Sequence, residues 1–231
     1  MAIVRDNIGP LNIYLRDKTL CGVTTPDVVM LQGFGTGPRG LRPMAKHLAQ
    51  HGLVCAAAPT GGMFGHLQTK AVRRAGKRLA RYLAKLPHDH KPWIIGHSIG
   101  GIIGRWAIQR CGAHQHVSGL ITLGSPHQGC PAAFAGIAIG LGMLSTATWS
   151  ILPGAPLIRR LNKSPWPTGL PLISITSSND VLCRPKRGRI RFADDVQIQN
   201  VVVDGLGHTE MLRDTRLLNI IHRLMNERRA A

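Results

Sequence analysis

Acidic residues are scarce in this chain of 231 residues, and their scarcity sets its charge. Eleven aspartates and glutamates stand against 29 lysines and arginines, which gives a formal net charge of +18. An excess of this size favours attraction to phosphates, in nucleic acid or at an anionic bilayer. Aromatic residues, which stack on single-stranded bases, make up only 4% of the chain, and no nucleic-acid-binding motif is present. We therefore expect nucleic acid not to be the partner.

Closely spaced cysteine pairs are also missing from the chain. The five cysteines are dispersed and include no Cys-x-x-Cys motif; they are Cys21, Cys55, Cys111, Cys130 and Cys183. An odd, dispersed set is typical of free thiols in a reducing compartment. The first residues, MAIVRDNIGPLNIYLRDK, carry charges where a signal peptide has its apolar core. These features predict a cytoplasmic protein.

Short apolar runs alternate with helical patterns along the chain. Runs this apolar suit strands that are covered on both faces of a parallel sheet, and the alternation is typical of a doubly wound α/β domain. The predicted strands lie within residues 27–33, 52–59, 91–97, 118–126, 170–178 and 195–205. The predicted helices lie within 39–52, 69–86, the segment after Ser98, and 208–229. We expect a single domain over residues 1–231.

One serine lies among four glycines in the segment WIIGHSIGGIIGRW, residues 93–106. Gly96-His97-Ser98-Ile99-Gly100 is a G-x-S-x-G pattern between a predicted strand and a predicted helix, which is the context of a nucleophile elbow. Such a turn strains the serine backbone and crowds the strand against the helix, so the flanking residues must lack a Cβ. The pattern predicts that Ser98 is a nucleophile.

An acid and a histidine follow in the order expected for this pattern, Ser, then Asp, then His. Asp180 follows the predicted strand LISIT, and His208 follows the predicted strand QNVVV. Both therefore lie at the carboxyl edge of the sheet, where open α/β folds place their sites. We predict that His208 is the general base and that Asp180 orients it. Asp194, Asp195 and Asp204 are alternatives for the acid.

An acyl-transferring serine also needs two N–H donors for the developing oxyanion. The residue after the nucleophile, Ile99, supplies one of them. The other is expected from the loop QGFGTGP after the first strand, and Phe34 is the predicted donor. A glycine loop without a chemical role is the alternative.

These segments resemble the α/β-hydrolase superfamily, and within it the bacterial lipases and esterases. LQGFGTG, IIGHSIGG, ITLGSPHQG, SSNDVLCRP and GLGHTEML are similar to successive landmarks of that family, from about residue 27 to the C-terminus. The resemblance implies hydrolysis of carboxylic esters through an acyl-enzyme, without a metal or an organic cofactor. Gln32-Gly33 stands where the family often has His-Gly, and the N-terminal strands of larger members are not evident. We therefore expect a minimal, mostly parallel sheet of about six strands with helices on both faces.

The same triad admits other functions. A thioesterase or an acyltransferase would form the same acyl-enzyme with a different leaving or accepting group. A catalytically silent hydrolase fold that binds anionic membrane surfaces is the alternative from a different class.

No charged residue occurs between Pro131 and Ile158. In lipase-like hydrolases this position commonly holds a lid, so we predict a lid-like insertion at about residues 130–166. A buried helix and a membrane span are the alternatives. The residues expected to contact an acyl chain are Leu141, Met143, Leu144, Trp149 and Ile151.

Basic residues recur at three- and four-residue steps in TKAVRRAGKRLARYLAKL, which places them on one helix face. They are Lys70, Arg73, Arg74, Lys77, Arg78, Arg81 and Lys85, and a second basic cluster spans Arg184–Arg191. A solvated face is the default interpretation of such a stripe. Peripheral association with an anionic membrane is the alternative, because lipid headgroups would relieve the repulsion between these like charges. The His88/His90 and His114/His116 pairs lack further ligands nearby in sequence, so no metal site is expected.

Overall fold

A parallel sheet forms the centre of the fold, and each of its strands lies inside a predicted apolar run. The computed structural model describes residues 25–34, 36–58, 71–133, 146–191 and 198–227. Within these residues six strands pair in the order β2-β1-β3-β4-β5-β6, and all neighbouring pairs are parallel. The strands are β1 (Val28–Leu31), β2 (Cys55–Ala57), β3 (Trp93–His97), β4 (Gly119–Leu123), β5 (Leu172–Ser177) and β6 (Ile198–Val203).

Burial explains why most of the strand sequences do not alternate. Every residue of β1 to β5 is buried, because helices cover both faces of the sheet. β6 is one of the two edge strands, and its residues are only half-buried or exposed, whereas β2 at the other edge is buried.

Helices pack on the two faces of the sheet around two apolar clusters. α2, α3 and α5 bury their apolar sides on one face, whereas α1 and α7 bury theirs on the other. The described helices are α1 (Arg42–Gln50), α2 (Val72–Leu83), α3 (Ile99–Cys111), α4 (Thr146–Ser150), α5 (Pro156–Lys163), α6 (Pro185–Gly188) and α7 (Thr215–Glu227). Short 3₁₀ turns occur at Pro38–Leu41, Ala113–His116 and Glu210–Leu212.

The last helix begins later than its sequence pattern predicts. The pattern extends from residue 208, but α7 starts at Thr215. Asp214 accounts for this start, because its Oδ1 accepts the backbone N–H of Leu217 at 2.9 Å and caps the first turn. The residues from His208 to Asp214 are thereby left as a loop at the carboxyl edge of the sheet.

The apolar insertion is described only in part. Residues 134–145 lie outside the described residues, and with them the predicted acyl contacts Leu141, Met143 and Leu144. The described part contains α4 and α5, and α5 buries Leu157, Ile158 and Leu161 in the core. No helix among the described residues is long and apolar enough to cross a membrane. The lid-like boundaries at about 130–166 stay a prediction.

Candidate active site

Ser98 occupies a strained turn between β3 and α3. Its backbone has φ 54° and ψ −126°, and it is the only non-glycine residue with positive φ among the described residues. Such a conformation costs about 1–3 kcal/mol and persists only where neighbouring structure holds it. Here the Ser98 N–H donates to the carbonyl of Leu123 at 2.8 Å, and its own carbonyl accepts the N–H of Gly101 at 3.1 Å. The turn is therefore fixed to β4 and to the first turn of α3.

Gly96 and Gly100 are required by close backbone approach. A Cβ on Gly96 would lie 2.5 Å from the backbone nitrogen of Gly101. A Cβ on Gly100 would lie 2.5 Å from the carbonyl oxygen of Leu31 at the end of β1. Both neighbours are main chain and cannot rotate away, so only glycine fits on either side of Ser98.

The structure brings Asp180 and His208 into direct contact. His208 Nδ1 lies 2.7 Å from Asp180 Oδ2, although the two residues are 28 positions apart in the chain. The Asp180 side chain is fully buried and that of His208 is 13% exposed, so the bond is shielded while the ring still reaches solvent. Asp180 follows β5 and His208 follows β6, which are neighbouring strands. Of the alternative acids, Asp204 is exposed, and Asp194 and Asp195 lie outside the described residues.

The hydrogen bond from His208, together with two backbone donors, lowers the pKa of Asp180. Burial by itself would raise the pKa of Asp180, but hydrogen bonds outweigh it and leave the pKa lowered. The contributing donors are His208 Nδ1–H and the backbone N–H groups of Cys183 and Leu182. The two N–H groups reach Oδ1 at 2.8 and 2.9 Å, which leaves Oδ2 for His208. The carboxylate can therefore orient the imidazole and stabilise its protonated form.

The glycine loop after β1 lies directly against the nucleophile turn. A Cβ on Gly33 would be 3.0 Å from Ser98 Cβ and 2.7 Å from His97 Nδ1. Phe34, the predicted oxyanion donor, follows in this loop and packs its half-buried ring on the core. Ile99, the other predicted donor, is the first residue of α3. Both predicted donors thus lie in segments that adjoin Ser98.

Two contacts of the His208 loop were not foreseen from the sequence. Glu210 Oε2 accepts the backbone N–H of Gly207 at 2.7 Å, which closes the turn that carries His208. The ring of His97 packs 4.7 Å from the ring of His208 and is tilted by 47°. A glutamate three residues after the residue whose N–H it accepts has the spacing of a capping box, which is visible in sequence. The ring contact joins residues 111 positions apart and leaves no local signal.

A buried polar cluster connects α3, the helix after Ser98, to α5. Arg105 of α3 is fully buried, and it donates to Asn162 Oδ1 at 3.1 Å and to the carbonyl of Leu161 at 3.0 Å. Burial lowers the pKa of Arg105 to about 9. His127 of the ITLGSPHQG segment lies within the same cluster, 3.4 Å from Arg105 and 2.9 Å from Thr122. These bonds fix α5 on α3, so the C-terminal end of the insertion has a defined position relative to Ser98.

The described acyl-contact candidates differ in their surroundings. Trp149 of α4 is 51% exposed. Ile151 is half-buried against the core, and its carbonyl accepts the N–H of Cys130 at 2.7 Å. Among the described residues, no group of three or more histidine, cysteine or acidic side chains is arranged to hold a metal ion.

Solved structures that are similar to this chain include two lipases and a phospholipase. Mature BlEst2 lipase of Bacillus licheniformis superposes with a TM-score of 0.69 at 18% identity, covering 87% of this chain and 91% of the lipase. A monoacylglycerol lipase of Paleococcus ferrophilus gives 0.63 at 17% identity, covering 88% and 94%. A bacterial membrane phospholipase A gives 0.64 at 13% identity, covering 90% and 80%. These likenesses confirm the predicted α/β-hydrolase fold.

Sequence comparison adds the family. None of the curated proteins matches the chain significantly in sequence. The family model described as palmitoyl protein thioesterase matches residues 27–149, which is more than half of the chain and includes the Ser98 turn. The chain therefore belongs to the palmitoyl protein thioesterase family and is a hydrolase that acts on esters.

Proposed function

We propose that Ser98, His208 and Asp180 form a catalytic triad that hydrolyses carboxylic esters with a hydrophobic acyl group. The observation that carries the proposal is the 2.7 Å contact of His208 with buried Asp180, made beside the strained Ser98 turn. A buried carboxylate bonded to Nδ1 leaves Nε2 of His208 as the proton acceptor for a serine hydroxyl.

The proposed chemistry has two steps. Ser98 Oγ attacks the acyl carbon while His208 Nε2 takes the hydroxyl proton, and the C–O or C–S bond to the leaving group then breaks as His208 returns that proton. Water repeats the sequence on the acyl-serine and releases the carboxylic acid. The N–H groups of Ile99 and Phe34 are proposed to hold the oxyanion, since both segments adjoin Ser98. Trp149 and Ile151 are proposed as acyl contacts.

The family match favours a thioester as a second substrate class. The family is named for a palmitoyl protein thioesterase, and a triad of this type can expel a thiolate as readily as an alkoxide. We therefore expect kcat/KM on acyl-CoA thioesters to equal or exceed that on oxygen esters of the same chain length.

A chain-length series tests the acyl preference. Lengthening the acyl group of p-nitrophenyl esters from acetate towards palmitate should raise kcat/KM by about fourfold per buried methylene until the pocket is filled. Activity confined to acetate would contradict a long apolar pocket. Wild-type protein that does not react with a fluorophosphonate would instead support the catalytically silent alternative.

We also propose that the enzyme associates peripherally with anionic membrane. Five basic residues of α2 are exposed, and no ion pair with an acid involves them in the described part of the chain; they are Arg73, Arg74, Lys77, Arg78 and Arg81. Beside Asp180, Val181 and Leu182 are 76% and 45% exposed, and Arg184 and Lys186 are exposed next to them. Apolar tips flanked by cations match the chemistry of an anionic lipid surface.

Vesicle binding tests this association. Neutralising Arg74, Lys77 and Arg81 with glutamine should weaken binding to phosphatidylserine-containing vesicles by roughly 100-fold, at about 1 kcal/mol per cation. The matched control neutralises three exposed cations of α1 and α7 on the opposite face of the sheet, Arg42, Lys46 and Arg223, and should retain most of the binding. Binding that is independent of salt and of anionic lipid would contradict the proposal, as would equal losses in both variants.

A further inference from the structure

His97, directly before the nucleophile, forms a hydrogen bond that the triad itself does not require. Its Nε2 lies 3.0 Å from the backbone carbonyl oxygen of His208. A carbonyl can only accept, so Nε2 must carry the hydrogen. The residue is 1% exposed, and its ring lies against the His208 ring. One bond thus joins the chain beside Ser98 to the main chain of His208.

A histidine at position 97 also has an energetic cost, which arises at its other ring nitrogen. Nδ1 of His97 is buried and has no hydrogen-bond partner among the described residues. It lies against Gly33, where a Cβ would come within 2.7 Å of it. A buried acceptor without a partner is unfavourable, so an apolar ring would fill this space at a lower cost. The donor at Nε2 is what an apolar ring cannot supply.

His97 is suited to hold this bond without taking up a charge. Burial, and after it the charge on His208, lowers the pKa of His97 to about 4. The His97 ring therefore stays uncharged near neutral pH. It does not repel a positive charge on the neighbouring His208 ring. A neutral ring with hydrogen on Nε2 is a fixed donor, which suits it to positioning and not to proton transfer.

We propose that His97 is a positioning residue, which holds the main chain of His208 so that its imidazole stays aligned between Asp180 and Ser98. This inference rests on the proposed function of the triad. Asp180 holds the His208 ring through Nδ1, and Glu210 holds the turn through the N–H of Gly207. His97 supplies a further restraint, on the carbonyl of His208 itself. Because misplacement of a base by about 1 Å can cost 100-fold in rate, the restraint should appear in kcat.

Two amide substitutions test this role with polarity held constant. The amide nitrogen of Gln in His97→Gln reaches the place of Nε2 and can donate to the His208 carbonyl. The shorter Asn in His97→Asn places its amide near Nδ1 and cannot reach it. We expect His97→Asn to lower kcat on a p-nitrophenyl ester by about 10-fold to 100-fold with little change in KM, and His97→Gln to stay within about threefold of wild type. His97→Phe should match His97→Asn.

A second readout and a matched control complete the test. The downfield proton resonance of His208 Nδ1–H should broaden or shift in His97→Asn and persist in His97→Gln. The control is His90→Phe, because His90 Nε2 makes the same kind of bond, to the carbonyl of Pro26 at 3.1 Å, at the opposite edge of the sheet. It should leave kcat unchanged.

The outcomes separate this inference from the triad. Wild-type kcat in His97→Asn, or equal losses in the Asn and Gln variants, would overturn the positioning role while leaving the triad intact. Wild-type protein that does not hydrolyse esters or label at Ser98 would overturn the proposed function first. Concentrations are normalised by fluorophosphonate titration of active sites, so partial misfolding of one variant does not mimic a loss of kcat.

Discussion

Ser98→Ala is expected to lower kcat for ester hydrolysis by at least about 10⁴-fold and to abolish covalent labelling by a fluorophosphonate. The reason is that alanine lacks the hydroxyl that is proposed to attack the acyl carbon, although His208 can still take a proton. Peptide mapping of the labelled wild-type protein should locate the adduct on Ser98. Residual hydrolysis near wild type in Ser98→Ala would contradict the nucleophile assignment.

Two further variants distinguish chemistry from backbone strain. Ser98→Gly should be as inactive as Ser98→Ala but about 1 kcal/mol more stable, because glycine accepts φ 54° without strain. Ser118→Ala is the matched control, since Ser118 Oγ donates to the carbonyl of Lys91 at 2.6 Å at the opposite edge of the sheet. It should keep full activity and full labelling. Chemical denaturation of the variants measures the strain directly.

Asp180→Asn is expected to lower kcat by about 10⁴-fold while leaving the fold intact. The geometry dictates the direction of the new amide. Oδ1 of Asp180 accepts the N–H groups of Leu182 and Cys183, so the amide oxygen must occupy that place and the NH₂ group must face His208 Nδ1. The NH₂ group then forces Nδ1 to accept, which moves the ring hydrogen to Nε2. A ring protonated at Nε2 cannot take the proton of Ser98.

The measurements for this variant are kcat and thermal unfolding. Because the two backbone N–H groups keep an acceptor, the unfolding temperature should change far less than kcat does. Asp204→Asn is the control, as Asp204 is exposed in the loop after β6, and it should stay within about twofold of wild type. Loss of activity in Asp204→Asn with retention in Asp180→Asn would reassign the acid.

Strand and helix positions could be predicted from the sequence because burial sets the pattern of apolar residues within each short segment. The run VVML has no polar side and forms β1, and in LISITS, which forms β5, even the polar Ser174 and Thr176 are buried. α2 could be placed because its cations and its apolar residues repeat with the helical period. The start of α7 is predicted too early, because the helical pattern of apolar residues already begins at residue 208, before Asp214. The hydrogen bond of the Asp214 side chain caps the helix after that point and so fixes its start.

The Ser98 turn was also visible locally, since its requirements are met within five residues. Gly96 and Gly100 meet main chain where any Cβ would overlap, and such a constraint recurs as a short motif. The motif says nothing of the partners that complete the site.

Those partners depend on contacts between segments far apart in the chain. Asp180 and His208 meet because parallel strands β5 and β6 end at the same edge of the sheet, and chain order alone left four acids to choose from. The bond from His97 to the carbonyl of His208 spans 111 positions, and the cluster around Arg105 links α3 to α5. A hydrogen bond of this kind forms only when the donor–acceptor distance is right to about half an ångström and the donor points at the acceptor. Side-chain packing sets this distance and direction, whereas residue identity does not. The local pattern therefore predicted the Ser98 turn and the fold, whereas packing decided that Asp180 contacts His208 and that His97 bonds to the His208 carbonyl.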